Sequence, residues 1–201
     1  MLFEGTLVYL ELNKEVADNR RITCITGTPG TGKSTIAGLL EGRGYATLEI
    51  EYFARVRGIY SYIENGETLL VDVPDLVAAL GRFLPGLGEA FLIGHLSHNL
   101  PGADSIVVLR TRPSVLRRRL VEKGWGEEKI SENLEAEALD ICLGEAVDLH
   151  GESVSEIDTT NRSPAETLGM VLDVHSGRRR YPPVARNWLL EHILEGSEGK
   201  V

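Results

Sequence analysis

Cysteine is scarce: the 201 residues include two, Cys24 and Cys142, far apart and without a further Cys or His at metal-ligand spacing. That excludes a disulfide framework and a structural zinc site, and it makes a reducing, cytoplasmic setting the expectation. Also missing are an apolar run long enough to cross a bilayer and a basic-apolar-small leader, so no membrane partner is expected. Positive charge is in deficit: 21 Lys+Arg against 30 Asp+Glu give a net charge of −9, which argues against non-specific binding to DNA or anionic lipid. Any polyanion must therefore be met by a local patch. There is no internal repeat and no low-complexity tract, and the length suits one domain with a small appendage.

What is present centres on Gly27-Thr28-Pro29-Gly30-Thr31-Gly32-Lys33-Ser34-Thr35, which follows the apolar run Ile22-Thr23-Cys24-Ile25 and opens the apolar-periodic segment from Ile36 to Leu40. It satisfies the P-loop pattern without substitution: glycine, four residues, then Gly-Lys-Ser/Thr. Gly27, Gly30 and Gly32 permit backbone angles that turn consecutive N–H groups toward phosphate oxygens, and the helix that follows presents its positive end to the same anion. Lys33 is placed to reach the β- and γ-phosphates, and Ser34 to ligate Mg²⁺. The bland alternative is a chance Gly-rich turn. The strand before the motif and the helix after it argue against that.

Around this motif the pattern alternates strand and helix. Tyr45-Ala46-Thr47-Leu48, Ala90 to His95, Ser105 to Arg110 and Ser153 to Ile157 read as strands. Helices are predicted from Pro74 to Leu84, from Pro113 through Arg117-Arg118-Arg119, over one long span from about Glu127 to Leu149, and from Pro164 to Val174. Such alternation means a parallel sheet with right-handed crossovers, and ligands bind beyond its carboxyl ends. Gly27 to Ser34, His95 and Arg110 are therefore expected to converge on one crevice. The stretch Glu49 to Ile63 mixes Tyr52, Phe53, Tyr60 and Tyr62 with Arg55 and Arg57. It is either an acceptor-binding segment or an amphipathic helix with a solvated basic face.

These motifs together resemble the archaeal and eukaryotic nuclear adenylate kinase family, isoenzyme 6 type. The resemblance is carried by Gly27 to Thr35, Gly94-His95-Leu96-Ser97-His98, Val108 to Leu120, Lys129 to Glu137 and Glu156 to Thr160, and it spans about Arg21 to Ile193. It implies an α/β P-loop NTPase fold, a five-stranded parallel sheet flanked by helices, with short acceptor-binding (about 49–84) and lid (about 117–130) segments. Residues 1–20 would be an extension, 21–177 the kinase domain, and 178–201 a basic connector with a terminal helix. The implied reaction is Mg-ATP plus AMP giving two ADP. Members of the family are also linked to maturation of the small ribosomal subunit, so a small-subunit protein and rRNA are implied partners.

Carried over by position, Gly27, Gly30, Thr31, Gly32, Lys33, Ser34 and Thr35 hold the donor phosphates, with Ser34 on the metal. Arg55 of Ala54-Arg55 is on the acceptor side, His95 belongs to the ATPase and assembly role, and Arg119 and Lys123 are the lid's basic positions. Asp158 and Thr159 lie beside the adenine. The family has Asp or Glu immediately before Gly-His, where this chain has Ile93; Asp72 or another carboxylate would have to take over. Lys123 stands where the family has Arg, supplying charge without a bidentate fork.

Three other readings are open on sequence. Asn13-Lys14-Glu15-Val16 superficially resembles a guanine-reading motif, but it precedes the P-loop and lacks the Asp. A nucleotide-timed assembly factor would use His95, His98 and Arg178 to Arg180 as contacts, the last of which otherwise form a solvated linker. His95 and His98 could also pair on a metal. For the kinase reading, Lys33→Ala and Arg119→Ala are expected to lose most turnover while keeping the wild-type unfolding transition. A purified Lys33→Ala protein with wild-type rates would remove the P-loop assignment.

Overall fold

The computed structural model describes residues 20–60, 62–64, 68–84, 88–100 and 102–198. The Asn13-Lys14 motif and the expected N-terminal extension, Arg20 apart, lie outside them. Five parallel strands form the centre: β1 (Arg21–Thr26), β2 (Ala46–Glu49), β5 (Glu89–Ile93), β6 (Ser105–Arg110) and β7 (Val154–Asp158), in the order β2-β5-β1-β6-β7. The short β3 (Tyr62–Glu64) and β4 (Thr68–Leu70) pair antiparallel in a separate sheet. The expected α/β P-loop fold is present.

β1 and β6 carry near-continuous apolar, β-branched residues because both sheet faces are covered. On one face, Ile22, Cys24, Leu92 and Ile106 pack with α2 (Ile50–Arg57), α3 (Val73–Phe83) and α6 (Ile141–His150) through Phe53, Leu76, Leu80 and Ala146. On the other, Ile25, Phe91, Val107 and Leu109 meet α1 (Lys33–Glu41) and α7 (Pro164–His175) through Ile36, Leu40, Leu168 and Val171. A third cluster, Leu116, Leu120, Ile130 and Leu134 with Trp125, joins α4 (Pro113–Glu122) to α5 (Glu127–Ala138).

Local chemistry sets the helix starts. Asp72 accepts the Asp75 N–H at 3.0 Å ahead of Pro74 on α3, and Ser163 with Glu166 forms a capping box ahead of Pro164 on α7. The single helix predicted from Glu127 to Leu149 is two. It breaks at Asp140, which adopts a left-handed φ of 59°, a conformation that Asp tolerates better than most side chains. The cause is a contact of long sequence range: Arg110 Nη2 donates to the Asp140 carboxylate and to the Glu137 carbonyl.

The segment after Gly177 is more than a linker. The Glu156 N–H donates to the Tyr181 carbonyl at 2.7 Å, and Val184 donates its N–H to the Glu156 carboxylate at 2.7 Å. These contacts bring α8 (Trp188–Glu198) against α5, with Trp188 only 4% exposed and the guanidinium carbons of Arg110 and Arg186 at 4.9 and 5.0 Å from its ring. Trp188→Ala is expected to destabilise the protein by about 3 kcal/mol, the usual cost of truncating a buried aromatic, read from the urea midpoint at unchanged slope.

Candidate functional site

The loop between β1 and α1 is held from below. The Thr28 hydroxyl donates to the Glu137 carboxylate, and Thr31 Oγ1 donates back to the Thr28 carbonyl at 2.8 Å. Glu137 also accepts from Arg110 Nε and from the Thr111 N–H, each at 2.8 Å. Gly27 has φ 133°, and a Cβ there would lie 2.3 Å from the Leu109 carbonyl oxygen, so no other residue fits between β1 and β6 at this point. Lys33 Nζ donates to the carbonyls of Gly27 at 2.5 Å and Thr28 at 3.2 Å, folding over the loop. Burial pushes the Lys33 ammonium below its ordinary value, against the opposing pull of charges that include Glu51 and Glu137.

Above the loop lies a cavity of about 570 Å³ lined by Gly30 to Thr35, Glu49, Glu51, His95, Arg119, Lys123, Trp125, Thr159 and Arg162, among others. Arg119 enters from α4. Its Nη1 donates to Thr111 Oγ1 and Thr159 Oγ1 at 3.1 Å each, and its Nη2 to the Thr159 carbonyl at 2.9 Å. Thr159 Oγ1 is 3.0 Å from the Thr31 carbonyl, so arginine, the turn after β7 and the phosphate loop form one hydrogen-bonded unit. The site is thus rich in cations although the chain is acidic.

Of the residues singled out by sequence, Gly30 through Thr35, His95, Arg119, Lys123 and Thr159 line this cavity. Gly27 underlies it. Asp158 is turned aside, its carboxylate accepting from the Thr160 N–H at 2.9 Å and from Arg186 Nη1 at 3.2 Å. Arg55 is exposed on α2, outside the lining residues. Among the three arginines of α4 only Arg119 faces in; Arg117 pairs with Glu127 across the turn and Arg118 is exposed.

Three readings are corrected. Arg110 does not open into the crevice. It is 1% exposed beneath the loop, because its partners Glu137 and Trp188 are buried, while Asp140 meets it from a half-exposed turn. Nor does Asp72 stand in for the acid that Ile93 lacks, since Asp72 caps α3 away from the cavity. His95 and His98 do not converge as a metal pair either. His95 Nδ1 is 2.7 Å from Glu51 Oε1, whereas buried His98 is held between Thr26 Oγ1 at 2.9 Å and Glu145 at 3.0 Å. Among the described residues no three His, Cys, Asp or Glu side chains are grouped to hold an ion. Arg178 and Arg180 face Asp173 and Glu152, and Arg179 lies over the Tyr181 ring at 4.8 Å, so each of the three has a partner within the chain although the run is exposed.

Glu51 and Glu137 are the residues that sequence reasoning missed. Glu51 had one usable signal: it stands two residues beyond β2, at the carboxyl end of a parallel strand, where ligands of such sheets lie. Burial raises its carboxyl, but hydrogen bonds from the His95 side chain and backbone outweigh this and hold it below the usual carboxylate value. Magnesium takes hard oxygen donors and keeps much of its water, so the Ser34 hydroxyl and a carboxylate facing the phosphate loop fit a magnesium nucleotide.

The family model described as an AAA domain matches residues 23–140. A protein named "Putative adenylate kinase" from Methanothermobacter thermautotrophicus is 41% identical over 177 residues, 83% of this chain and 98% of its own. Its namesake in Archaeoglobus fulgidus is 42% identical over 174 residues, 85% of this chain and 93% of its own. Another, from Thermococcus kodakarensis, is 42% identical over 154 residues, 76% of this chain and 84% of its own.

Because the buried Glu137 satisfies three donors at once, Glu137→Ala is expected to cost about 3–5 kcal/mol, the scale for stranding a buried charge. Glu137→Gln should cost less. Chemical unfolding followed by circular dichroism checks both.

Proposed function

The chain belongs to the family of these archaeal adenylate kinase-named proteins, and from that premise we propose that it transfers the terminal phosphoryl group of ATP to a nucleoside monophosphate, AMP foremost, giving two ADP. The observation that carries this reading is the single cavity where the phosphate loop, Lys33, Arg119 and Lys123 face one another. Three side-chain cations around one anion-binding loop suit a reaction whose charge spreads over phosphoryl oxygens.

The attacking group in this chemistry is a phosphate oxygen already ionised near neutral pH, so no general base is needed. The loop N–H groups from Gly27 to Thr35 and the α1 N-terminus hold the donor phosphates. Lys33 leaves the Gly27 and Thr28 carbonyls for the β- and γ-oxygens. Arg119, pinned to Thr159, neutralises charge on the transferring group, and Lys123 adds charge from the turn between α4 and α5. The family resemblance assigns Thr159 and Asp158 to the adenine and Arg55 to the acceptor, although the Asp158 carboxylate is already engaged by Thr160 and Arg186. Ser34 would hold magnesium, which would supply positive charge to offset that of the phosphates.

The isoenzyme 6 type, with a second role in small-subunit assembly and ATP hydrolysis, is the finer form of this proposal. It rests on the resemblance carried by Gly94-His95-Leu96-Ser97-His98 and the other motifs named above. Chromatographic product analysis with ATP and Mg²⁺, with and without AMP and then with CMP, UMP and GMP, tests the kinase reading. ADP formation that requires AMP, two ADP per ATP consumed, is the expected result. Slow hydrolysis indifferent to AMP would sink it and leave the assembly role as the reading to pursue.

A further inference from the structure

Ile93 ends β5 in the apolar cluster that also holds Ile25, Ile36 and Ala37, is 2% exposed, and has no side-chain oxygen to offer at the cavity it borders. The position just beyond it is occupied from another element. Glu51, in the first turn of α2, lays its carboxylate directly on Gly94: a Cβ at residue 94 would lie 2.5 Å from Oε2 and 2.8 Å from Oε1. Gly94 has φ 154°, and its lack of a side chain leaves room for the carboxylate.

Two further observations fix its direction. The His95 N–H at 3.1 Å and His95 Nδ1 at 2.7 Å both meet Oε1, and the backbone N–H of Glu51 itself also supports the carboxylate, which leaves Oε2 without a side-chain donor among the described residues. Glu51 also lines the cavity together with Lys33, Ser34 and Thr35, close enough to Lys33 for its charge to act there. A carboxylate braced on one oxygen and open on the other, facing the hydroxyl at the start of α1, has the form of a group that orients metal-bound water.

We propose that Glu51 supplies the carboxylate that holds the water shell of a nucleotide-bound magnesium ion, in place of the acid absent at Ile93. His95 is then a positioning residue, fixing the Glu51 rotamer through Oε1. Magnesium in nucleotide sites needs only one or two protein oxygens beside the phosphates, and Ser34 with Glu51 meets that number. The inference rests on the nucleotide-site reading above.

Fluorescence titration of a non-hydrolysable, fluorophore-bearing ATP analogue separates the two readings, run in EDTA and across a Mg²⁺ series. In Glu51→Gln, affinity in EDTA is expected to equal or exceed wild type, because a negative charge near the phosphates is gone. The Mg²⁺ needed for half its effect should rise at least about tenfold. His95→Ala should move that midpoint in the same direction by less. A Glu51→Gln midpoint equal to wild type overturns the inference, and so does an equal loss of affinity with and without Mg²⁺, which marks a merely structural role. A wild-type protein that binds no analogue in either condition overturns the nucleotide-site reading and this inference with it.

Discussion

A buried guanidinium under the phosphate loop is the constraint on which much else depends. Arg110 ends β6 at 1% exposure, and a charge removed from water must be paired and hydrogen-bonded or the fold bears a cost of several kcal/mol. Glu137 provides the pairing and spends its remaining capacity on the Thr111 N–H and the Thr28 hydroxyl. One carboxylate thus joins the end of β6, the C-terminus of α5 and the phosphate loop. The break between α5 and α6 follows, because Asp140 must also reach Arg110. So does the docking of the C-terminal segment: Trp188 covers the guanidinium face, and Glu156, 4.0 Å from Arg110 Nη1, is shared with Arg186.

This arrangement puts a rigid floor beneath a site whose walls carry separated charges. Lys33, Arg119 and Lys123 are among the cations of its lining, and Glu49 and Glu51 among its anions. A net charge of −9 says nothing of this division, since the local field at a concave site is set by the few groups facing it. Arg119 gains its position through Thr159 and Thr111, not through a carboxylate, so its charge stays free for an anion.

The phosphate loop was legible because its conformation is local: glycines at fixed spacing, a β-branched strand before and a helix after leave few alternatives. The sheet class followed from the alternation of apolar runs, and the starts of α3 and α7 from Pro74 and Pro164, whereas their side-chain caps Asp72 and Ser163 with Glu166 emerged from the structure. Arg110 misled because a charged residue at the carboxyl end of a strand normally faces the ligand crevice, whereas this one has a buried carboxylate partner 27 residues on. The helix break at Asp140 was hidden for the same reason, since the apolar stripe runs through it without interruption.

By itself the sequence determined the backbone grammar: which segments extend, which coil, and where a loop of N–H groups can form, all set by side chains within a few residues of one another. Only the tertiary structure decided which charges meet. Glu51 reaches Gly94 and His95 across 44 residues of chain, and Thr28 reaches Glu137 across 109. Such pairings depend on strand order and on the close approach of one element to another, and no periodicity along a single chain encodes them.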